Sequence, residues 1–183
     1  GVTASSVMRA ALLDFGVLKI EVVLPDRFKD GFGLKMSAVP RILESDAGLV
    51  VTVDNGSMAN EVCNELKKHG IDVIVTDHHE IPVVPDKAVA TINPNRVDEK
   101  YGKGLAGVGV AFQVARALNM RKNGGKCDGK EKWLLDLVTI GTICDLMPLI
   151  GVNRTLTYWG MTVLKKTRRV GIRELAKLAK GNL

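Results

Sequence analysis

Aromatic residues and cysteines are both scarce in this chain of 183 residues. Phe, Trp and Tyr together make up 4% of it, so Val, Ile, Leu and Ala have to build the hydrophobic core. A core of that composition suits a parallel β-sheet that is buried on both faces. The three cysteines lie far apart and form no Cys-x-x-Cys pair, which excludes a zinc ribbon and a thioredoxin motif. Reduced thiols in a cytoplasmic protein are the simplest interpretation.

Long apolar segments are missing as well. No run of the sequence approaches the roughly 20 apolar residues that a membrane-spanning helix needs. Residues 1–5 carry no basic leader, so they do not resemble a secretory signal. We therefore expect a cytoplasmic protein without membrane contact. Because the chain opens on Gly rather than Met, we also expect that its natural start lies upstream.

Positive charge is concentrated near the C-terminus. The net charge is +6, yet residues 1–150 contain 18 Lys and Arg against 19 Asp and Glu. Residues 151–183, called the basic segment below, contain eight basic residues against one acid. Such a segment is typical of a protein that binds a polyanion, most often nucleic acid. It is equally compatible with a helix face that meets another domain, and charge alone leaves both interpretations open.

Short β-branched runs alternate with amphipathic stretches along the chain. The expected strands are residues 17–24, 49–53, 73–76 and 88–93, and the expected helices are residues 37–44, 57–69, 108–120 and 133–149. Residues 119–132 are polar and glycine-rich, which predicts a surface loop. Strands that alternate with helices indicate βαβ crossovers. We therefore expect an α/β fold with a parallel sheet of about five strands and helices on both faces, followed by C-terminal helices at about 154–166 and 171–180.

Polar side chains follow two of the predicted strands. Asp54 comes directly after the strand at 49–53, and Asp77, His78 and His79 come directly after the strand at 73–76. Because the carboxyl ends of parallel strands meet at one edge of the sheet, we expect Asp54 to lie near His78. A further acid, Asp145, ends the apolar helix. Carboxylates and imidazole together suit Mn²⁺, Mg²⁺ or Zn²⁺.

Each of these residues also has a plainer interpretation. Asp54 could cap the next helix, and Asp145 could cap the turn that follows it. Adjacent histidines point in different directions, so a His-His pair alone is weak support for a metal site. Taken singly, the plainer interpretation is favoured for each residue. The combination of all of them, in this order along two strands and a helix, favours a metal site.

The string TDHHE at residues 76–80 matches the signature of the DHH phosphoesterase superfamily. Other strings resemble its RecJ branch of single-stranded-DNA-specific exonucleases. They are PDRFKDGFGL at 25–34, VTVDNGS at 51–57, DVIVTDHHE at 72–80, NPNR at 93–96, LAGVGVAF at 105–112 and GTICDLMPLIGVNR at 141–154. The opening GVTAS resembles the end of the family's first motif, D-x-D-G-x-T-A.

The resemblance implies hydrolysis of phosphodiesters by two divalent ions, with Mn²⁺ first and Mg²⁺ as the alternative. By position, Asp54 resembles the ligand that bridges the two ions, and His78 and Asp145 resemble ligands of the second ion. The resemblance further implies that Asp77 orients the metal ligands without binding the ions itself, and that His79 faces the scissile phosphate. Asp77 and His79 are thus the candidate catalytic residues, and Asp54, His78 and Asp145 the candidate metal ligands.

The resemblance also implies a single-stranded DNA substrate, degraded from 5′ to 3′ in DNA repair and recombination by a monomer, with replication or repair proteins as further candidate partners. Arg27, Asn153 and Arg154 are the candidate contacts to the phosphates. Ion pairing on the surface or between domains is the alternative for the two arginines. Short oligoribonucleotides or nucleotide bisphosphates are the alternative substrates, and an inactive scaffold is the alternative to an enzyme.

The family pattern places D-x-D ahead of Gly1 and a further domain after residue 183. We therefore expect residues 1–150 to be a DHH domain truncated at its N-terminus, and residues 151–183 to complete it and lead into the next domain. Residues 1–183 alone should then hydrolyse little or no DNA. Because clustered acids repel one another, we expect the pKa of at least one carboxylate to lie above its usual value near 4. Gly107 and Gly109 should allow a helix to pack closely against a strand.

Overall fold

The structure is a computed structural model, and it describes residues 1–26, 28, 31, 33–80, 84–96 and 102–179. In chain order its helices and strands are α1 (Val2–Phe15), α2 (Val39–Glu44), β1 (Leu49–Val53), α3 (Asn60–Lys68), β2 (Asp72–Thr76), β3 (Ala90–Ile92), α4 (Gly107–Lys122), α5 (Leu135–Cys144), α6 (Gly151–Leu164) and α7 (Val170–Leu178). Two short 3-10 turns, Met36–Ala38 and Lys130–Leu134, precede α2 and α5. The predicted α/β class is confirmed.

The three strands form one parallel sheet in the order β1-β2-β3. Leu49 pairs with Asp72 and Val53 with Thr76, so β1 and β2 end level with each other. The sheet is parallel, as predicted, but the described residues contain three strands rather than about five. Residues 17–24 are not a strand: they run as irregular backbone with Leu18 93% exposed. Their β-branched composition does not form a strand because no neighbouring strand among the described residues pairs with them.

Side chains of the sheet alternate between two hydrophobic clusters. Val51 and Val53 pack against buried residues of α1, α4 and α5. Val50, Val73 and Val75 belong to the second cluster, with buried residues of α2 and α3. Because successive side chains of a strand point to opposite faces, the two clusters lie on opposite sides of the sheet. The prediction of helices on both faces is confirmed.

The C-terminal helices pack on α5. A β-carbon on Gly160 of α6 would lie 1.8 Å from Thr139 Oγ1 and 2.5 Å from the Leu135 carbonyl oxygen, so only glycine permits this approach. The segment before α7 is fixed by Arg169, whose Nε donates to Asp136 Oδ2 at 3.0 Å. Asp136 is 2% exposed and also accepts a hydrogen bond from Thr167 Oγ1 at 2.7 Å. None of the helices in the described part of the chain is both long and apolar enough to cross a membrane.

Candidate metal centre

Asp54 is held at the end of β1 by a tight turn. Its backbone amide donates to the Thr76 carbonyl oxygen at 2.9 Å, which ties the end of β1 to the end of β2. Its φ is 63°, a left-handed conformation that Asp and Asn tolerate better than most residues. Gly56, two residues later, has φ 104°, and a β-carbon there would lie 2.4 Å from Thr52 Oγ1. The turn therefore directs the Asp54 carboxylate beyond the edge of the sheet, towards β2.

Two carboxylates converge on one imidazole nitrogen. His78 Nε2 lies 3.1 Å from Asp54 Oδ1 and 3.4 Å from Asp145 Oδ2. Asp145 is the residue that caps the C-terminus of α5, and its side chain is 43% exposed. Asp54 Oδ1 is buried and has no hydrogen-bond partner of good geometry among the described residues. Its contact with His78 Nε2 is misaligned for a hydrogen bond, so a cation could satisfy this oxygen.

His79 adds a fourth group to this cluster. Asp54, His78 and His79 each offer one possible metal-ligand atom, and these three atoms all lie within 4.8 Å of one another. Carboxylate and imidazole donors at this spacing form a set that a divalent ion of the Mn²⁺, Mg²⁺ or Zn²⁺ type can use. The residues present therefore fit a metal ion.

The ionisation of the cluster follows from these contacts. Burial raises the pKa of Asp54, whereas its contact with the imidazole of His78 lowers it. The contact with Asp54 raises the pKa of His78 above its usual value, against the effect of burial. The expectation that at least one of the clustered carboxylates has a raised pKa stays a prediction.

Asp77 orients the segment that carries both histidines. Its side chain is 2% exposed, and its two oxygens accept hydrogen bonds from the amides of Ser57 at 3.0 Å and His78 at 2.8 Å. Oδ1 also contacts His79 Nδ1 at 2.6 Å. Burial opposes ionisation of Asp77, but these donors prevail and its pKa is lowered. The ionised carboxylate can only accept, so Nδ1 of His79 carries the proton and Nε2 is left for the exposed side.

Two asparagines that the sequence analysis left without a role hold the histidines from the other side. Asn93 is 3% exposed and donates to the His79 carbonyl oxygen and to Ser57 Oγ, both at 2.9 Å. Asn95 donates to the His78 carbonyl oxygen, and its backbone amide donates to Asn93 Oδ1 at 2.8 Å. Both asparagines belong to the NPNR string directly after β3. Their position at the end of a third parallel strand was the available signal.

The first residue of α4 lies against Asp54. A β-carbon on Gly107 would lie 1.9 Å from Asp54 Oδ1 and 2.4 Å from Asp54 Cγ. Gly109 differs, since its nearest neighbour would be the end of the Leu105 side chain at 3.0 Å. Gly107 thus provides the close approach of helix to strand end that the sequence predicted.

A known protein family matches most of this chain. The model of the DHH family, N-terminal domain, matches residues 1–142. The chain belongs to the DHH family. Its family signature is the segment Asp77, His78 and His79, whose contacts are described above.

Individual relatives of this DHH chain are exonucleases. It is 41% identical over 185 residues to the single-stranded-DNA-specific exonuclease RecJ of Bacillus subtilis, covering 100% of this chain and 22% of that protein. It is 38% identical to the RecJ of Escherichia coli, covering 98% of this chain and 33% of the relative. The chain thus spans about a fifth to a third of the length of these relatives.

Solved structures agree with that relationship. A crystal structure of exonuclease RecJ bound to manganese matches 97% of this DHH chain with a TM-score of 0.84 and 32% identity, and the match covers 44% of that structure's chain. RecJ from Thermus thermophilus in complex with Mn²⁺ matches 98% with a TM-score of 0.74 and 30% identity, covering 26% of that chain. Both matches support the same fold across almost the whole of this chain.

The predicted phosphate contacts have different surroundings in the structure. Arg27 lies outside the described residues. Arg154 is exposed on the first turn of α6. Asn153 is 5% exposed and donates to the Gly104 carbonyl oxygen at 2.7 Å and the Pro148 carbonyl oxygen at 3.0 Å. Its amide nitrogen therefore fixes the start of α6, while Asn153 Oδ1 has no hydrogen-bond partner among the described residues.

Proposed function

We propose that this chain is the catalytic domain of a single-stranded-DNA-specific exonuclease that hydrolyses phosphodiesters with divalent metal ions. The observation that carries the proposal is the convergence of Asp54 and Asp145 on His78, in a DHH chain whose relatives over its full length are exonucleases. Degradation from 5′ to 3′ and a role in DNA repair and recombination, in the cytoplasm, are part of the proposal.

The proposed metal ligands are Asp54, His78 and Asp145, with Mn²⁺ first and Mg²⁺ as the alternative. Support comes from the two carboxylates that converge on His78 and from the Mn²⁺ in the RecJ structures that this chain resembles. When bound, a pair of such ions would activate a water nucleophile and would neutralise charge on the phosphate. The ligands of a second ion beyond Asp54 belong to the D-x-D motif of the family, as the resemblance implies.

The chain's own residues hold His79 in the orientation in which it can contact the phosphate. Asp77 fixes the His79 ring through Nδ1, so Nε2 is presented at the exposed side of the cluster, where a phosphate oxygen can contact it. Asn93 and Asn95 keep the two histidine carbonyls in place. Arg154 and the lysines of the basic segment are proposed to bind the phosphates of the strand, and Arg27 remains a predicted contact.

Metal binding by residues 1–183 tests the proposed ligands directly. Isothermal titration with Mn²⁺ should give measurable binding by the unchanged chain, and His78→Ala should remove it. His69→Ala is the matched control, because His69 is a half-exposed histidine of the α3 end that pairs with Glu65, outside the cluster. Equal Mn²⁺ binding by all three proteins would contradict the proposed site.

A chimera tests the activity. Residues 1–183 would replace the aligned segment of the Bacillus subtilis exonuclease, which is 41% identical over 185 residues. We expect Mn²⁺-dependent digestion of single-stranded DNA, resistance of duplex DNA, and loss of digestion with His78→Ala but not with His69→Ala. Substrates blocked at the 5′ or the 3′ end give the direction. A folded chimera that digests dinucleotides but no single-stranded DNA would assign the site to another substrate.

A further inference from the structure

Two aromatic side chains stand exposed next to each other on α6. Tyr158 is 68% exposed and Trp159 is 57% exposed, and their ring centroids are 5.3 Å apart in an edge-to-face arrangement. Among the aromatic residues that the structure describes, Phe112 alone is buried. Exposed rings of this size are more often found where a protein binds a partner. The inner face of α6 is already occupied, since Leu156 and Val163 pack against the core.

The Tyr158 ring lines a groove beside the loop that follows Asp145. Its other lining residues are Leu149, Arg154, Thr157 and Met161, and its volume is about 270 Å³. That is just below the range of about 300–1,000 Å³ for sites that hold drug-sized ligands. A single nucleotide unit suits this volume better than a large cofactor does.

Hydrogen bonds connect this groove to the candidate metal centre. Asn153, next to Arg154, donates to the carbonyl oxygens of Gly104 and Pro148. The Gly104 amide in turn donates to Asn95 Oδ1 at 3.4 Å, and Asn95 donates to the His78 carbonyl oxygen. The first turn of α6 and the loop carrying Leu149 are therefore held in a defined position relative to His78.

The charge around the groove matches a polyanion. Arg154, Tyr158, Met161 and Lys165 follow one another at intervals of four, three and four residues, which places them along one side of α6. Both cations are exposed. A row in which cations flank an aromatic ring fits a single nucleic-acid strand, because its phosphates bind the cations and an unpaired base stacks on the ring. A duplex offers no free base face.

We propose that Tyr158 forms one wall of a base-stacking subsite that Met161 also lines, and that it holds one unpaired base of a single strand while Arg154 contacts an adjacent phosphate. The inference rests on the proposed function and names a residue that selects single strands. Stacking is tolerant of sequence, so the subsite takes any base.

Binding of a fluorescein-labelled single strand by the 183-residue chain, without divalent metal, tests the subsite. Tyr158→Ala should weaken binding about tenfold, and Tyr158→Phe should stay within about twofold, because the phenyl ring still stacks. The slope of log affinity against log salt concentration should be unchanged in Tyr158→Ala. In Arg154→Ala the magnitude of this slope should fall by about 0.7, because one phosphate contact is lost. Because Tyr158 is exposed, thermal unfolding of both Tyr158 variants should match the unchanged protein.

An oligonucleotide whose central nucleotides lack bases completes a double-mutant cycle. The unchanged protein should bind this oligonucleotide more weakly than the normal one, and Tyr158→Ala should bind the two equally. If the unchanged protein binds both equally well, the stacking subsite is wrong while the exonuclease proposal stands. If it binds neither, the stacking subsite is wrong, and the chimera decides the exonuclease proposal separately. If Tyr158→Ala binds DNA normally but abolishes self-association on a sizing column, the ring belongs to a protein interface and the subsite is overturned.

Discussion

Among single residues, Asp54 has two roles that can be separated. Its carboxylate faces His78, and its backbone has φ 63°. Asn tolerates this conformation nearly as well as Asp, whereas Ala does not. An exchange for Asn therefore removes the negative charge and keeps the turn.

Asp54→Asn should abolish Mn²⁺ binding and leave the chain folded. Asp54→Ala should also abolish binding, and its free energy of unfolding should be lower than that of Asp54→Asn by about 1 kcal/mol, because Ala is strained at positive φ. Urea unfolding of the two variants measures this difference. Equal stabilities would show that the left-handed turn relaxes when the side chain is shortened.

Asn93 is a positioning residue by the same reasoning. Asn93→Ala leaves the His79 carbonyl oxygen, Ser57 Oγ and the Asn95 amide without their partner. We expect a decrease of about 1–3 kcal/mol in unfolding free energy and a roughly 10- to 100-fold decrease in Mn²⁺ affinity. Asn123→Ala is the control, because Asn123 also donates to a backbone carbonyl, that of Asn119 at the end of α4. Unchanged Mn²⁺ affinity in Asn93→Ala would limit Asn93 to a role in folding.

Among helices and strands, the start of α4 lies directly against Asp54. Gly107→Ala places a carbon 1.9 Å from Asp54 Oδ1, so either the carboxylate or the helix has to move. We expect loss of Mn²⁺ binding and destabilisation by about 1–3 kcal/mol, the usual cost of overpacking. Gly109→Ala is the control, since it meets only the end of a leucine side chain and Ala favours the helix. Retention of Mn²⁺ binding by Gly107→Ala would mean that Asp54 is free to shift without leaving the site.

The stability of the fold should depend on pH through Asp128, in the turn between α4 and the next 3-10 turn. The backbone amide of Lys130 and the side-chain amide of Asn119 both donate to Asp128 Oδ1. Because these bonds favour the ionised carboxylate, the pKa of Asp128 is lowered from 3.8 to about 2. A depressed pKa stabilises the fold above pH 3.8, and that contribution disappears as the pH falls towards 2. Asp128→Asn should therefore lower the urea midpoint at about pH 7 and about pH 5, and the difference from the unchanged chain should shrink at about pH 3. A difference that stays constant with pH would assign the effect to shape rather than charge.

The sequence predicts some of the strands, helices and site residues much better than others. The strands at 49–53 and 72–76 and the helices after them follow from strong apolar patterns, and Asp54, Asp77, His78 and His79 were found because they stand at strand ends. Residues 17–24 have the composition of a strand but no partner strand among the described residues, which only the assembled sheet reveals. Close packing at Gly107 was predicted, but the role of Asn93 and the choice of Asp54 as the neighbour of Gly107 depend on contacts across 14 and 53 residues. Such contacts are set by loop conformation, which local patterns do not encode.

In the whole molecule, the basic segment contains two kinds of cation. Lys165, Lys166 and Arg168 are exposed, whereas Arg169 pairs with buried Asp136. In the sequence alone these residues are equivalent. The structure separates cations that are exposed to a polyanion from one that holds α7 to α5.

Lys165→Glu combined with Lys166→Glu should weaken binding of single-stranded DNA. The slope of log affinity against log salt concentration should fall in magnitude by about 0.7 for each phosphate that is no longer neutralised. The free energy of unfolding should change little, because both side chains are exposed. Arg169→Ala should instead destabilise the fold by about 3 kcal/mol, since it leaves a buried carboxylate unpaired. Binding that is insensitive to salt and to both lysines would assign this surface to a protein contact.

The closeness of Gly107 to Asp54 also has a genetic consequence. Every missense codon at position 107 adds a β-carbon at the same point, 1.9 Å from the carboxylate oxygen, whatever the rest of the new side chain. In a collection of random alleles selected for lack of activity, position 107 should therefore appear as often as positions 54 and 78, with no preference among the replacing amino acids. Suppressor alleles should be rare, because no second change removes the added β-carbon.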